Sequence, residues 1–380
     1  MRSTAIPASF LCLLVTAPFP AQSFETRWGA AGTIGLGPVP QGSGVVAAVS
    51  ALSGDQERTA ALVTLTGTGQ VTGSTTVPLA GRTFGQAFVP ATGGGGYLVG
   101  SHIPPGSDDH DLLVVRINAQ NAVQWIVTQA LPHDQQVLAA AEAGASGLHI
   151  TGIDNTSGSH DVLLGSVSTT GVLLWTTVEG GPLDEEGWAV AGDANGAMVT
   201  GRQMNFSGES DVLFIGVDAN GSVSWSSSWG GVANDVGHAL IRRSNGTYVM
   251  AGTTRSYGIT DQLGRRKDQV WLMALESDGD TLWTRAVGDT LDARSAFGLT
   301  EAANGDLLVA GEVGLDHSTD AMLLRLTALG ASVWERRYDI GQEERLSRIR
   351  EDASGIWAVG RTFDASGLQL LALRKNGQGL

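Results

Sequence analysis

Cysteine is all but missing from this 380-residue chain: Cys12 is the only one. A single thiol excludes a disulfide framework and the cysteine-rich zinc sites. Lysine is almost as scarce, at Lys267 and Lys375 only, and 23 basic residues face 38 acidic ones for a net charge of -15. That balance opposes nucleic acid and anionic lipid as partners. Charged residues make up 16% of the chain, against about 25% in an average domain. No apolar run outside the N-terminus approaches the length of a bilayer span, so no membrane insertion is expected. Also missing are a Gly-x-Ser-x-Gly elbow, a Walker loop, His-Glu-x-x-His and an EF-hand-type calcium loop. Those absences remove the chemistries such motifs announce.

Glycine is plentiful, at 53 residues, and apolar residues reach 42%. This composition argues for a packed, turn-rich chain and against disorder. At the N-terminus, Arg2 precedes an apolar run from Ala5 to Val15, and Pro18, Pro20 and Ala21 end it. This reads as a secretory signal over residues 1–21, ahead of a single domain over 22–380. Cys12 follows Phe10 and Leu11 with the apolar run continuing past it, which is not the pattern of a lipid-anchored cysteine. The expected location is therefore secreted or periplasmic, and the mature chain would hold no cysteine.

Internal repetition dominates the rest. Asp111, Asp161, Asp211 and Asp320 each precede a tryptophan by 14 residues (Trp125, Trp175, Trp225, Trp334), and Asp268 precedes Trp283 by 15. Four residues before each tryptophan stands Asn121, Gly171, Gly221, Gly279 or Gly330. A second marker is a short apolar run closed by glycine at Gly100, Gly152, Gly201, Gly252, Gly311 and Gly360. The period is near 50 residues, with several short strands in each, and the Asn-Gly pairs supply hairpin turns. The expected fold is all-β: a seven-bladed β-propeller of four-stranded blades. The last repeat lacks its fourth strand, and the segment from Phe24 to Trp28 is expected to complete it. Closing the ring this way leaves no open sheet edge.

The segment Asp218 to Trp225, DANGSVSW, resembles the tryptophan-docking motif of pyrroloquinoline-quinone-type propellers. Gly230 to Thr254 is similar to repeats of secreted bacterial β-propeller proteins. The resemblance implies an architecture shared by scaffolds, adhesins and enzymes. Quinoprotein dehydrogenases of that kind usually carry eight blades, a vicinal cysteine pair and calcium-binding acids. This chain departs from them in blade count and in cysteine.

The tryptophan series is expected to pack between blades and the aspartate series to close turns. Trp188, outside the tryptophan register, is a candidate for the central channel. His110 and His160 occupy equivalent places on neighbouring repeats; no metal site is assigned to them. The loops joining the fourth strand of one repeat to the first of the next hold Asp134, Asp184, Glu185, Glu186, Asp235, Asp289, Asp292, Glu343 and Glu344. They read as an acidic rim. The longest loop, from Thr253 to Lys267, carries the densest basic cluster: Arg255, Tyr257, Arg265, Arg266 and Lys267.

These residues, with Trp188, Asp184 and Glu185, form the expected surface for a ligand or partner. The leading functional expectation is a secreted, non-enzymatic scaffold, monomeric and without cofactor, that presents loops on one face to a protein or glycan. The alternative is a hydrolase or lyase acting on an extracellular polysaccharide through rim carboxylates. A third reading is a quinone- or metal-binding oxidoreductase. No catalytic residue is assigned.

Overall fold

The computed structural model describes residues 24–28, 34–41, 44–52, 58–132, 134–155, 158–315, 318–365 and 367–380. Of residues 24–58 only the backbone is described, Val49 apart. The segment read as a secretory signal lies outside the described residues.

Each blade is an antiparallel meander of strands A to D, with A innermost. Six blades consist of four strands consecutive in sequence. Their first strands are Ile34–Gln41 (blade I), Arg82–Pro90 (II), Gln135–Glu142 (III), Glu185–Asp193 (IV), Asp235–Arg242 (V) and Ala293–Glu301 (VI). One further four-stranded sheet draws on both ends of the chain. It contains Glu343–Asp352, Gly355–Asp364 and Gly367–Lys375, and Phe24–Trp28 lies against the last of these. Phe24 pairs with Arg374 and Trp28 with Leu370. The expectation of seven like blades is corrected accordingly. There are six contiguous blades, and the sheet that closes the circle is a composite rather than a further copy of the unit. Strands A of neighbouring sheets touch all the way round.

The repeated glycine that ends each strand B has a steric cause. Strand A carries a bulge at the same place in every sheet, between Val137 and Ala139 in blade III, Gly187 and Ala189 in IV, and Gly237 and Ala239 in V. The bulge brings its backbone onto the glycine of strand B. A Cβ at Gly152, Gly201 or Gly252 would lie 1.8, 1.8 or 1.9 Å from a strand A carbonyl oxygen, well inside van der Waals contact.

The core lies between blades rather than inside one. Val249, Ala251, Val270 and Leu272 of blade V pack on Leu307, Val309, Met322 and Leu324 of blade VI, all buried. Sheets packed face to face in this way remove the inner faces of the Val- and Leu-rich strands from water. The tryptophans add a second link. The indole Nε1 of Trp125, Trp175 and Trp225 donates to the carbonyl oxygens of Thr169, Ala219 and Ser277, each in the C–D turn of the next blade. Each ring lies against the glycine of that turn, Gly171, Gly221 or Gly279.

Candidate functional site

The acidic residues at the D–A connections are not all solvated. Glu185, Asp235 and Glu344 are buried in strands A. Their carboxylates turn back to accept from the chain that precedes them: Gly181 N–H to Glu185 at 2.8 Å, Gly231 N–H to Asp235 at 3.0 Å and Ile340 N–H to Glu344 at 3.3 Å. Asp134 and Asp184 accept from the backbone N–H of His110 and His160 in the neighbouring B–C loops. One carboxylate oxygen each of Asp161 and Asp211 is buried without a hydrogen-bond partner among the described residues, and they lie against Gly180 and Gly230.

Among the described residues, one trio of carboxylates converges. Asp320, Asp339 and Glu344 each place an oxygen within 4.8 Å of the others, an arrangement able to hold a cation. Burial, reinforced by Asp339, pushes the carboxyls of Asp320 and Glu344 above their usual range. His110 and His160 are not part of this group. His110 Nδ1 bonds Ser101 Oγ at 2.9 Å, and His160 Nδ1 bonds Glu186 Oε1 at 2.8 Å.

In the basic loop, most polar groups are occupied locally. Arg255 forms a two-pronged pair with Asp268 at 2.7 and 2.9 Å. Arg265 pairs with Asp261 at 3.0 Å, and Arg266 donates to the Ser256 carbonyl at 2.7 Å. Tyr257 donates its hydroxyl to the Gly230 carbonyl at 2.7 Å, which seats its ring on the neighbouring D–A connection. Lys267 closes the loop by its backbone N–H, which donates to Ile259. The same face exposes large apolar side chains: Phe206 at 90%, Val232 at 79% and Leu263 at 76%, with Trp229 and Tyr257 partly exposed.

The central channel holds Trp188, the residue singled out for it, together with two groups that sequence reasoning passed over, His238 and Phe297. At the bulge of strand A, Trp188, His238 and Phe297 from three successive blades meet at the axis. The Trp188 and His238 rings stack 4.9 Å apart, and His238 meets Phe297 at 4.6 Å. Arg345 lies 4.0 Å over the Phe297 ring and grips Glu312 with two hydrogen bonds. Trp188 donates to Glu186 at 2.8 Å, and Arg202 pairs with the same carboxylate at 2.7 Å. Burial works against the Glu186 carboxylate, but donors from Arg202, His160 and Trp188 hold it below the usual range. Burial, with Arg345 and Arg348 nearby, pushes His238 down to about 3, so its ring is neutral.

From this aromatic layer a cavity of about 610 Å³ runs toward the A–B turns. The repeat offers a signal for these groups. Trp188, His238 and Phe297 are spaced 50 and 59 residues apart, which is the period with the long-loop insertion counted in.

No family model matches this sequence, and no curated protein is significantly similar to it. Solved structures are similar in fold. The β-propeller domain of the Trilobed protease from Pyrococcus furiosus, described as having an open velcro topology, is 8% identical with a TM-score of 0.50, covering 90% of this chain and 95% of that one. Sqt1 from Chaetomium thermophilum is 10% identical with a TM-score of 0.49, covering 93% and 87%. The periplasmic gluconolactonase of Pseudomonas aeruginosa is 14% identical with a TM-score of 0.46, covering 91% and 96%. At these identities the likeness concerns the β-propeller fold alone. Among the described residues, no helix is long and apolar enough to cross a membrane.

Proposed function

We propose that this chain is a secreted or periplasmic, non-enzymatic binding scaffold that presents the loops of one ring face to a protein partner. The observation that carries this reading is the exposure of Phe206, Val232 and Leu263, with Trp229 and Tyr257, on three successive loops and the strand end between them in blades IV and V. Water-exposed apolar side chains grouped this way on a rigid scaffold favour a contact surface. The partner is a protein rather than a glycan, because the exposed side chains are mainly aliphatic and aromatic. Arg265, two-thirds exposed, and Arg266 and Lys267 at the edge of the patch favour carboxylates on that partner. Glu185, Asp235 and Glu344 are engaged in holding D–A connections, which weighs against their use in polysaccharide cleavage.

The test is affinity capture with the full chain and with a Phe206→Ser, Val232→Ser, Leu263→Ser variant that keeps the wild-type melting temperature. A partner held by the wild type and lost by the variant supports the proposal. A partner held equally by both overturns it. So does cleavage of an extracellular polysaccharide by the purified protein.

A further inference from the structure

The cavity beyond the Trp188–His238–Phe297 layer lies in the half of the channel that ends at the A–B turns, and the proposed loop surface makes no use of it. Its wall begins one residue past each bulge. At that position blades II to VI carry Ala87, Ala139, Ala189, Ala239 and Gly298. Five small residues in register leave the space open. The composite sheet breaks the rule, since its residue at the same position is Arg348. The repeat does not need a guanidinium here, because five blades fold without one.

Arg348 lines the cavity. Among the described residues its side chain makes one hydrogen bond, to the adjacent Ser347 carbonyl at 2.8 Å, and no carboxylate pairs with it. Acidic groups do stand at the cavity's outer rim, but other partners hold them. Glu142 accepts from Thr92 of the neighbouring blade, Glu301 from Arg243 and Ser244, and Glu351 from Arg325. A partly buried cation without a counter-ion is costly unless something supplies one. Among the described residues the rest of the wall is mixed: the alanines with Leu240, Leu299 and Ile349 are apolar, Arg242, Thr300 and Arg350 are polar, and the neutral aromatic layer forms the floor.

We propose that this half-channel is a binding site for an organic carboxylate with an apolar body. The carboxylate lies on the Arg348 fork and the body lies against the alanine- and leucine-lined wall. A guanidinium matches a carboxylate with two parallel hydrogen bonds. The volume is in the range of small-molecule sites.

The test is isothermal titration calorimetry of the full chain with three probes. Octanoate carries both features, octan-1-ol the body without the charge, and inorganic phosphate charge without the body. Octanoate is expected to bind at least about tenfold more tightly than either of the others. Arg348→Gln is expected to weaken octanoate by about tenfold or more, the loss of one charge-assisted contact. Arg348→Lys, which keeps the charge, should fall between the two and serves if the glutamine variant does not fold. Absence of octanoate binding up to millimolar concentration overturns the proposal. So does equal binding of octanol or phosphate, or wild-type affinity in a folded Arg348 variant.

Discussion

The indole of Trp225 in blade V's predecessor lies on Gly279 of blade V, and its Nε1 donates across the gap to the Ser277 carbonyl at 3.3 Å. The contact is possible only because position 279 lacks a side chain. A Cβ there would stand 2.9 Å from the ring, and the backbone has a φ of +92°. Gly279→Ala therefore combines two costs. Gly208→Ala isolates one of them, since Gly208 has a φ of +84° with nothing within 4 Å of its Cβ. The left-handed backbone alone should cost about 1 kcal/mol. Displacing the indole should bring Gly279→Ala to about 2–3 kcal/mol. Urea unfolding of the two variants side by side measures the difference; equal losses would mean that the ring contact contributes nothing.

Deleting residues 24–28 strips the composite sheet of its outer strand and exposes the edge of Gly367–Lys375. The expected result is a single, cooperative transition at lower temperature, together with self-association through the bared edge. Calorimetry and light scattering report the two effects. An unchanged midpoint in a monodisperse sample would contradict the role of this strand.

Glu186 should stabilise the fold most at neutral pH. Its folded pKa lies below the unfolded value of about 4.3. Its contribution is therefore complete above that value and is lost as pH falls through the lowered one. Glu186→Gln is expected to cost about 2–3 kcal/mol at pH 7, less than a fully buried ion pair because Arg202 is partly exposed. The cost should shrink toward pH 3. A pH-independent difference in unfolding free energy would rule out an ionic origin.

Asp339 should act in the opposite sense. The raised carboxyls of Asp320 and Glu344 favour the protonated fold. The stability they contribute is full below about pH 4 and is lost as pH rises through their folded values. Asp339→Asn removes a neighbouring negative charge, so it should raise stability at pH 7 by about 0.5–1 kcal/mol, a modest gain because Asp339 is exposed. At pH 3.5 or so the gain should vanish. Thermal melts at the two pH values check this, and a loss of stability at pH 7 would show that Asp339 is a needed ligand rather than a repulsive neighbour.

The blade unit was legible because its markers are steric necessities. The glycine closing strand B sits under the strand A bulge, and the glycine before Trp175, Trp225, Trp283 or Trp334 sits under the indole of the blade before. Asn121, at a φ of 63°, is the one described residue other than glycine with positive φ, and it stands at this register position. The channel was harder to read. A bulge breaks the two-residue alternation that assigns side chains to faces. Nothing in the local pattern therefore says that His238 and Phe297 point to the axis. Arg348 was hidden for a related reason: it differs from its repeat partners only when strands A are aligned on the bulge. Glu185 and Glu344 read as loop carboxylates because an acid at the start of a strand looks the same on the page whether it faces water or folds back onto an N–H. The basic loop drew attention by length and charge, but most of its cations are matched within a few residues.

The strand Phe24–Trp28 finds its hydrogen-bonding partner at the opposite end of the sequence. During synthesis it emerges before every other described strand, and its mate emerges after them. Each of the other sheets can pair from neighbouring stretches of chain, while this one must wait for the strand Gly367–Lys375. Until then the nascent chain holds an unmatched ribbon, and whatever shields that ribbon sets how safely the molecule matures.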